Sequence, residues 1–335
     1  EDLLEHRVGN AVPDDDTASR IFPFPDLRLG HGAVTEPLGG DGPRATPTLH
    51  AGKLYCLGAA GHFHCLDAAT GKKLWEHNIH GEYNMSNLPW ALSGSPLIVD
   101  DNVLVPTSGN AGPAVLAYNA LTGSLVWKSP PKTQGYSSLS LATLAGRRVV
   151  LNLAALTFDA RDPATGEIVW SFPWETSMGI DCSQPILAGD DRVFISSGYD
   201  KGCALIKIEK SGDKFSVRQL WFNNRMKNKF TSSVIYKNHI YGLDEGILTC
   251  LVLETGERKW KGGRYRHGSI LLVDDRIIVL SEEGLLALVE ATPEEFRELG
   301  SLPILTGRTW NNFVLLGDKL LARNHKEMVC MSLAP

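Results

Sequence analysis

Short apolar runs bounded by Gly, Asp, Asn or Pro recur along the chain from Arg44 to its end. LYCLGAAGHFHCLDA (Leu54–Ala68) and HIYGLDEGILTCLVL (His239–Leu253) each read as two strands joined by a Gly-containing turn. Ahead of such pairs stands a small-residue segment: RATPT (Arg44–Thr48), SGSPL (Ser93–Leu97), YSSLS (Tyr136–Ser140), CSQPI (Cys182–Ile186), FTSSV (Phe230–Val234) and HGSI (His267–Ile270). After them comes a phrase that repeats: DAATGKKLW (Asp67–Trp75), NALTGSLVW (Asn119–Trp127), DPATGEIVW (Asp162–Trp170) and VLETGERKW (Val252–Trp260). Asp or Asn opens a turn by bonding forward to the backbone, Gly closes it at positive φ, and an outer strand carries the Trp. Each unit therefore predicts four antiparallel strands, the innermost built of small side chains.

A looser fifth copy has Lys210-Ser211-Gly212 and a later Trp221. The repeat glycines fall at 71, 123, 166, 212 and 256, spaced 52, 43, 46 and 44 residues apart. That period suits one four-stranded β-propeller blade. Two further units, Gly268–Leu299 and Thr309–Leu333, keep the strand pattern without the phrase. The expected fold is all-β: residues 1–335 as a single propeller, with seven repeat units over 44–335. An eight-bladed or truncated eight-bladed ring is the alternative. The last unit stops after its third strand, and LLEHRVG (Leu3–Gly9) echoes LWEHNIHG (Leu74–Gly81). Residues 1–9 are therefore expected to supply the closing outer strand. Residues 10–43, rich in Pro, Asp and Gly, fit no repeat and read as a long loop.

The TGxxxW phrases resemble the pyrroloquinoline-quinone (PQQ) type of propeller repeat over roughly residues 44–335. GDGPRATPT (Gly40–Thr48), NLPWALSGSPL (Asn87–Leu97), NNRMKNKFTSSV (Asn223–Val234), GGRYRHG (Gly262–Gly268) and GRTWNN (Gly307–Asn312) resemble a bacterial branch of PQQ-binding-like repeat proteins. That resemblance implies an extracytoplasmic location, periplasmic or secreted. The chain begins at Glu1 rather than Met, and an export signal is not visible in it. The superfamily includes quinoprotein dehydrogenases, an outer-membrane-assembly lipoprotein and kinase sensor domains, so the resemblance specifies architecture more than function. Quinoprotein dehydrogenases resemble one another in adjacent cysteines beside the quinone. Here no two cysteines are adjacent, no CxxCH haem site appears and no Ca²⁺ ligand set stands out. No cofactor is expected, and PQQ with Ca²⁺ is the alternative.

Composition narrows the partners. With 43% hydrophobic and 21% charged residues, the chain can bury a large core without a covalent or metal staple. A net charge of −5, with basic residues clustered only briefly at Arg225–Lys229 and Lys259–Arg266, argues against a nucleic-acid surface. No run approaches the roughly 18 apolar residues a spanning helix requires. The best, Ile270–Leu280, is broken by Asp274, Asp275 and Arg276. A soluble chain with no membrane span is expected.

The chemistry-bearing residue types mostly read as structure. The cysteines, at 56, 65, 182, 203, 250 and 330, make no CxxC, so no zinc site is expected. Cys65, Cys250 and Cys330 share a register with Ala117, Ala160 and Ala287, a slot for a small buried side chain. Cys56 and Cys65 lie on paired strands, where packing is preferred over a bridge. His62 and His64 share a strand face, and Asp14–Asp16 form a solvated run. No G-x-S-x-G elbow surrounds Ser137–Ser140.

The remaining signal is positional. Residues leading into each inner strand ring one mouth of a propeller's central channel. Here they offer Arg44, Trp90, Gln184, Lys229, Arg266, Arg308, Trp310 and Asn311 for ligand binding, and His267, Tyr136 and Asp181 as acid/base candidates. No metal ligands are assigned. Such a ring either holds a small polar or anionic ligand or a carbohydrate, or plugs the channel. The expected function is a binding or scaffold module for such a ligand or for a protein partner. The alternative is an enzyme with its site at the mouth, either a quinoprotein-type alcohol or sugar dehydrogenase or a carbohydrate-active enzyme.

Overall fold

The computed structural model describes residues 44–109 and 112–333. Seven antiparallel sheets follow one another, over 48–78, 97–128, 140–173, 186–223, 234–264, 269–303 and 314–332. Six have four strands, the seventh has three among the described residues, and in each the spatial order is the chain order. This is the seven-bladed, all-β propeller that the repeat predicts. Among the described residues the helical element is one short turn, Ile79–Tyr83, capped where Asn78 Oδ1 accepts from the Gly81 N–H at 3.1 Å. The closing strand assigned to residues 1–9 and the loop over 10–43 lie outside the described residues. Contacts divide the chain into two compact units, a first of 44–193 with 206–219 and a second of 194–205 with 220–333.

The repeated phrase is a lock between neighbouring blades. Asp67 Oδ1 accepts from the Thr70 backbone and hydroxyl at 2.8 and 2.6 Å, and Gly71 closes the turn at φ +71°. The Trp at the end of the phrase then crosses to the turn of the next blade. The indole Nε1 of Trp75 donates to Ala120 O at 3.3 Å, Trp127 to Pro163 O at 3.0 Å, Trp221 to Leu253 O at 2.9 Å and Trp260 to Thr292 O at 2.7 Å. Three of the rings lie flat against the next blade's glycine. A Cβ added at Gly123, Gly166 or Gly256 would stand 2.8, 2.4 or 2.7 Å from a carbon of Trp75, Trp127 or Trp221. Burying an indole removes roughly 150–250 Å² from water. At about 25 cal/mol per Å² that is about 4–6 kcal/mol, against about 1 kcal/mol for its hydrogen bond. Packing dominates the lock, and the hydrogen bond fixes its register.

The third strand carries the small-residue slot in the register read from the sequence. Cys65 pairs with Trp75, Ala117 with Trp127, Ala160 with Trp170 and Cys250 with Trp260, and a register shift follows each pair. Cys65, Ala117, Ala160 and Cys250 are fully buried. Cys330 departs from the expected burial. It is exposed. All six cysteines are free thiols, so Cys56 and Cys65 form no bridge.

Blade 4 explains the loose copy. Its outer strands, Gly202–Ser211 and Lys214–Asn223, are each ten residues long. That length carries Trp221 away from Gly212 while leaving it in place over Gly256.

Small polar residues just ahead of the innermost strands join successive blades of the first unit. The Thr46 N–H donates to Ser95 Oγ and the Ser95 N–H to Ser138 Oγ, both at 2.9 Å. Between blades 2 and 3 the fully buried Asp159 accepts from Lys132 Nζ at 2.7 and 2.9 Å and from Ser171 Oγ at 2.6 Å, with Arg161 at 3.4 Å.

Candidate functional site

All eleven residues assigned to the mouth precede the first strand of a blade. Five belong to the first unit and six to the second.

In the first unit they are tied to the protein itself. Arg44 Nε donates to Trp90 O at 2.9 Å. The rings of Trp90 and Tyr136 meet edge to face, centroids 6.0 Å apart, and the Trp90 N–H reaches the Tyr136 hydroxyl at 3.4 Å. The Tyr136 N–H donates to Asp181 O at 2.7 Å, and Gly135 admits this approach, since a Cβ there would stand 3.1 Å from Asp181 Cβ. The Gln184 amide donates to Ser138 O at 3.0 Å and accepts from its N–H at 2.9 Å. Burial raises the pKa of Tyr136, so it stays a neutral phenol, and Asp181 is wholly buried. Tyr136 and Asp181 are thus brought together by their backbones, with the Asp181 side chain closed off from a solvent-borne substrate.

The second unit presents a more open arrangement. Phe230, 36% exposed, stands between His267 and Trp310, with ring centroids 5.2 and 5.0 Å away. The Arg308 guanidinium lies 4.7 Å above the Trp310 ring, within cation–π range. Lys229 Nζ lies 5.2 Å from the Tyr199 ring and 3.8 Å from Glu245, and Arg266 Nε lies 3.0 Å from Glu283. Arg266 is held at φ +52°, an uncommon conformation for a residue with a Cβ. Its backbone packs on Gly246, where an added Cβ would stand 2.5 Å from Arg266 Cα. The His267 N–H donates to Glu282 Oε2 at 3.1 Å. Burial, and then the Lys229 charge, lower the His267 pKa, which leaves a neutral imidazole at neutral pH. Asn311 is half-buried beside this group in sequence.

Sequence reasoning missed Phe230, Tyr199 and the carboxylates Glu245, Glu282 and Glu283. Phe230 had a signal, since it heads its segment at the place where Arg44, Tyr136 and His267 head theirs. The acids had none, because they come from other turns of the same unit. Their presence changes the electrostatics: Lys229 and Arg266 each face a carboxylate, so this surface carries little net field for an anion. Its distinctive feature is an aromatic platform.

The family model described as "Outer membrane protein assembly factor BamB" matches residues 25–262. The chain belongs to that family. A relative in Yersinia pestis, "Outer membrane protein assembly factor BamB", is 24% identical over 293 residues, covering 81% of this chain and 71% of its own. The crystal structure of BamB from Moraxella catarrhalis superposes with a TM-score of 0.66 at 18% identity, over 86% of this chain and 81% of that one. At that identity the likeness establishes the fold. A quinoprotein ethanol dehydrogenase of Pseudomonas putida is 29% identical over 155 residues, which is 41% of this chain and 24% of the dehydrogenase. Among the described residues no helix is long and apolar enough to cross a membrane.

Proposed function

We propose that this propeller is an interaction scaffold acting outside the cytoplasm, and that it docks a protein partner on the aromatic platform of its second unit. Phe230 carries the reading. A benzyl ring left in water forfeits roughly 25 cal/mol for each Å² of apolar surface it could bury. Held between His267 and Trp310, it also loses little rotamer freedom on docking. Aromatic residues and arginine are enriched at protein interfaces relative to the rest of the surface. The description of the family as an assembly factor supports the same reading.

A carbohydrate is the second reading. It is favoured by the Trp310 Nε1–H, which is buried beside the platform and finds no acceptor. Quinone chemistry has less support. The six cysteines are free, none is adjacent to another, and among the described residues no three His, Cys, Asp or Glu side chains gather as cation ligands. PQQ with Ca²⁺ stays the lesser alternative.

The test places a photo-crosslinking phenylalanine analogue at Phe230 in the full chain within its native cell envelope. One dominant protein adduct is expected. With that protein purified, Phe230→Ala combined with Trp310→Ala should weaken binding by at least tenfold. A thermal shift produced by an oligosaccharide panel and abolished by the same double variant, with no protein adduct, would replace the partner by a carbohydrate. Dye-linked alcohol oxidation on addition of PQQ and Ca²⁺ would overturn the scaffold reading.

A further inference from the structure

The aromatic platform carries the cations Lys229, Arg266 and Arg308, and they are not equivalent. Lys229 lies 3.8 Å from Glu245, and Arg266 lies 3.0 Å from Glu283. Glu282, beside them, is half-buried and accepts the His267 N–H at 3.1 Å. Arg308 is exposed, and no carboxylate among the described residues pairs with it. Its guanidinium lies instead 4.7 Å over the Trp310 ring. Stacking uses the face of a guanidinium and leaves its N–H edge for hydrogen bonds. A fork held flat on an indole has also given up much of the rotamer freedom that binding would otherwise cost.

This cation stands next to apolar surface. Phe230 and the Arg308 guanidinium lie 5.0 and 4.7 Å from the same indole, so less than about 10 Å separates them. Two side chains on one face of an extended peptide cover such a span, positions i and i+2 being roughly 7 Å apart. The hairpin on the Lys229 side is held in an uncommon conformation. Tyr199, whose ring takes the Lys229 ammonium at 5.2 Å, and Asp200 turn the chain at φ +53° and +64°. Glycine and asparagine are the usual residues there, and strain of this kind gathers at ligand sites.

We propose that the platform recognises an acidic–aromatic segment of its protein partner. The Arg308 fork bonds a Glu or Asp carboxylate, and an aromatic side chain two residues away packs on Phe230. This rests on the scaffold reading and specifies what the docked partner presents. Lys229 and Arg266 are matched by their own carboxylates, so selection comes from close contact at Arg308 and not from long-range attraction.

Saturation-transfer NMR with the peptide Ac-Gly-Phe-Gly-Glu-Gly-NH2 tests both contacts. Replacing its Glu by Gln, or its Phe by Ala, should each weaken binding at least tenfold. Arg308→Gln should bring the Glu peptide down to the level of the Gln peptide, with the melting temperature unchanged because the residue is exposed. Arg308→Lys should fall between, since an ammonium has no planar fork. Phe230→Ala should erase the preference for Phe over Ala in the peptide. Equal binding of the Glu and Gln peptides overturns the proposal, as does no binding of either at millimolar concentration. Tighter binding of tetragalacturonate than of the peptide, lost in Arg308→Gln, overturns it in favour of an acidic carbohydrate. A protein adduct at Phe230 alongside equal binding of the two peptides would leave the scaffold reading intact, so the two readings fail separately.

Discussion

Gly166 meets two demands that only glycine satisfies together. Its φ of +75° is left-handed, and the Trp127 ring lies where its Cβ would be. Alanine there would incur about 1–2 kcal/mol for the backbone and about 1–3 kcal/mol for displacing a packed ring. Gly146 separates the two terms, since at φ +76° it has no atom within 4 Å of its Cβ position. Urea denaturation should show Gly166→Ala destabilised by about 2–5 kcal/mol and Gly146→Ala by about 1–2 kcal/mol. Equal losses at the two positions would mean that the indole yields freely and that the lock is looser than its geometry implies. The sequence already pointed to the turn, because Thr-Gly before a strand has a local mechanism. It could not reveal that the tryptophan of one phrase serves the glycine of the next, since that contact joins residues about 40 positions apart, such as Trp127 and Gly166.

At the scale of the strand, the alternation of Cys and Ala in one register follows from the ring opposite. A slot that faces Trp75 has room for a thiol or a methyl and for little else. Cys65→Ala should therefore cost about 1 kcal/mol, and Cys65→Leu more, about 1–3 kcal/mol from overpacking. Calorimetric melting of the two variants checks the ranking, and a Leu variant as stable as the Ala variant would refute it. Burial also pushes the thiols of Cys56 to about 11 and of Cys182, Cys203 and Cys250 to about 12, so a thiol reagent at neutral pH should find these four slow to react. The slot was legible from sequence because it recurs. Where recurrence fails, legibility fails with it. Blade 4 displaces Trp221 by lengthening a hairpin, and blade 6 substitutes Phe296, which packs against Gly262 and Gly263. The exposed Phe230 of the second unit lies beside such a departure, just after the lengthened hairpin of blade 4.

Across the whole molecule, three imidazoles give stability a direction in pH. His64, His80 and His267 all have pKa values lowered chiefly by burial, and only partly restored by Glu76, by the Ala60 backbone and by Glu282 respectively. In the unfolded chain each takes a proton as pH falls through about 6.5. In the folded chain each resists it until a lower pH. Above about 6.5 both states hold these rings neutral, and they contribute nothing to the pH dependence. Below it the unfolded chain binds more protons, so folding loses ground. Carboxylates do not offset this between pH 6.5 and 5. Asp67, Glu76 and Asp100 have lowered pKa values and stay ionised in both states until nearer pH 4, where their own loss adds in the same direction. The melting temperature should therefore be flat from pH 8 to 7 and fall from pH 6.5 to 5. It should fall less in a His64→Gln, His80→Gln, His267→Gln triple variant. The imidazoles lie in both compact units, so the two should weaken over the same pH interval. A melting temperature that holds or rises between pH 7 and 5.5 would show that these rings gain rather than lose a proton partner on folding.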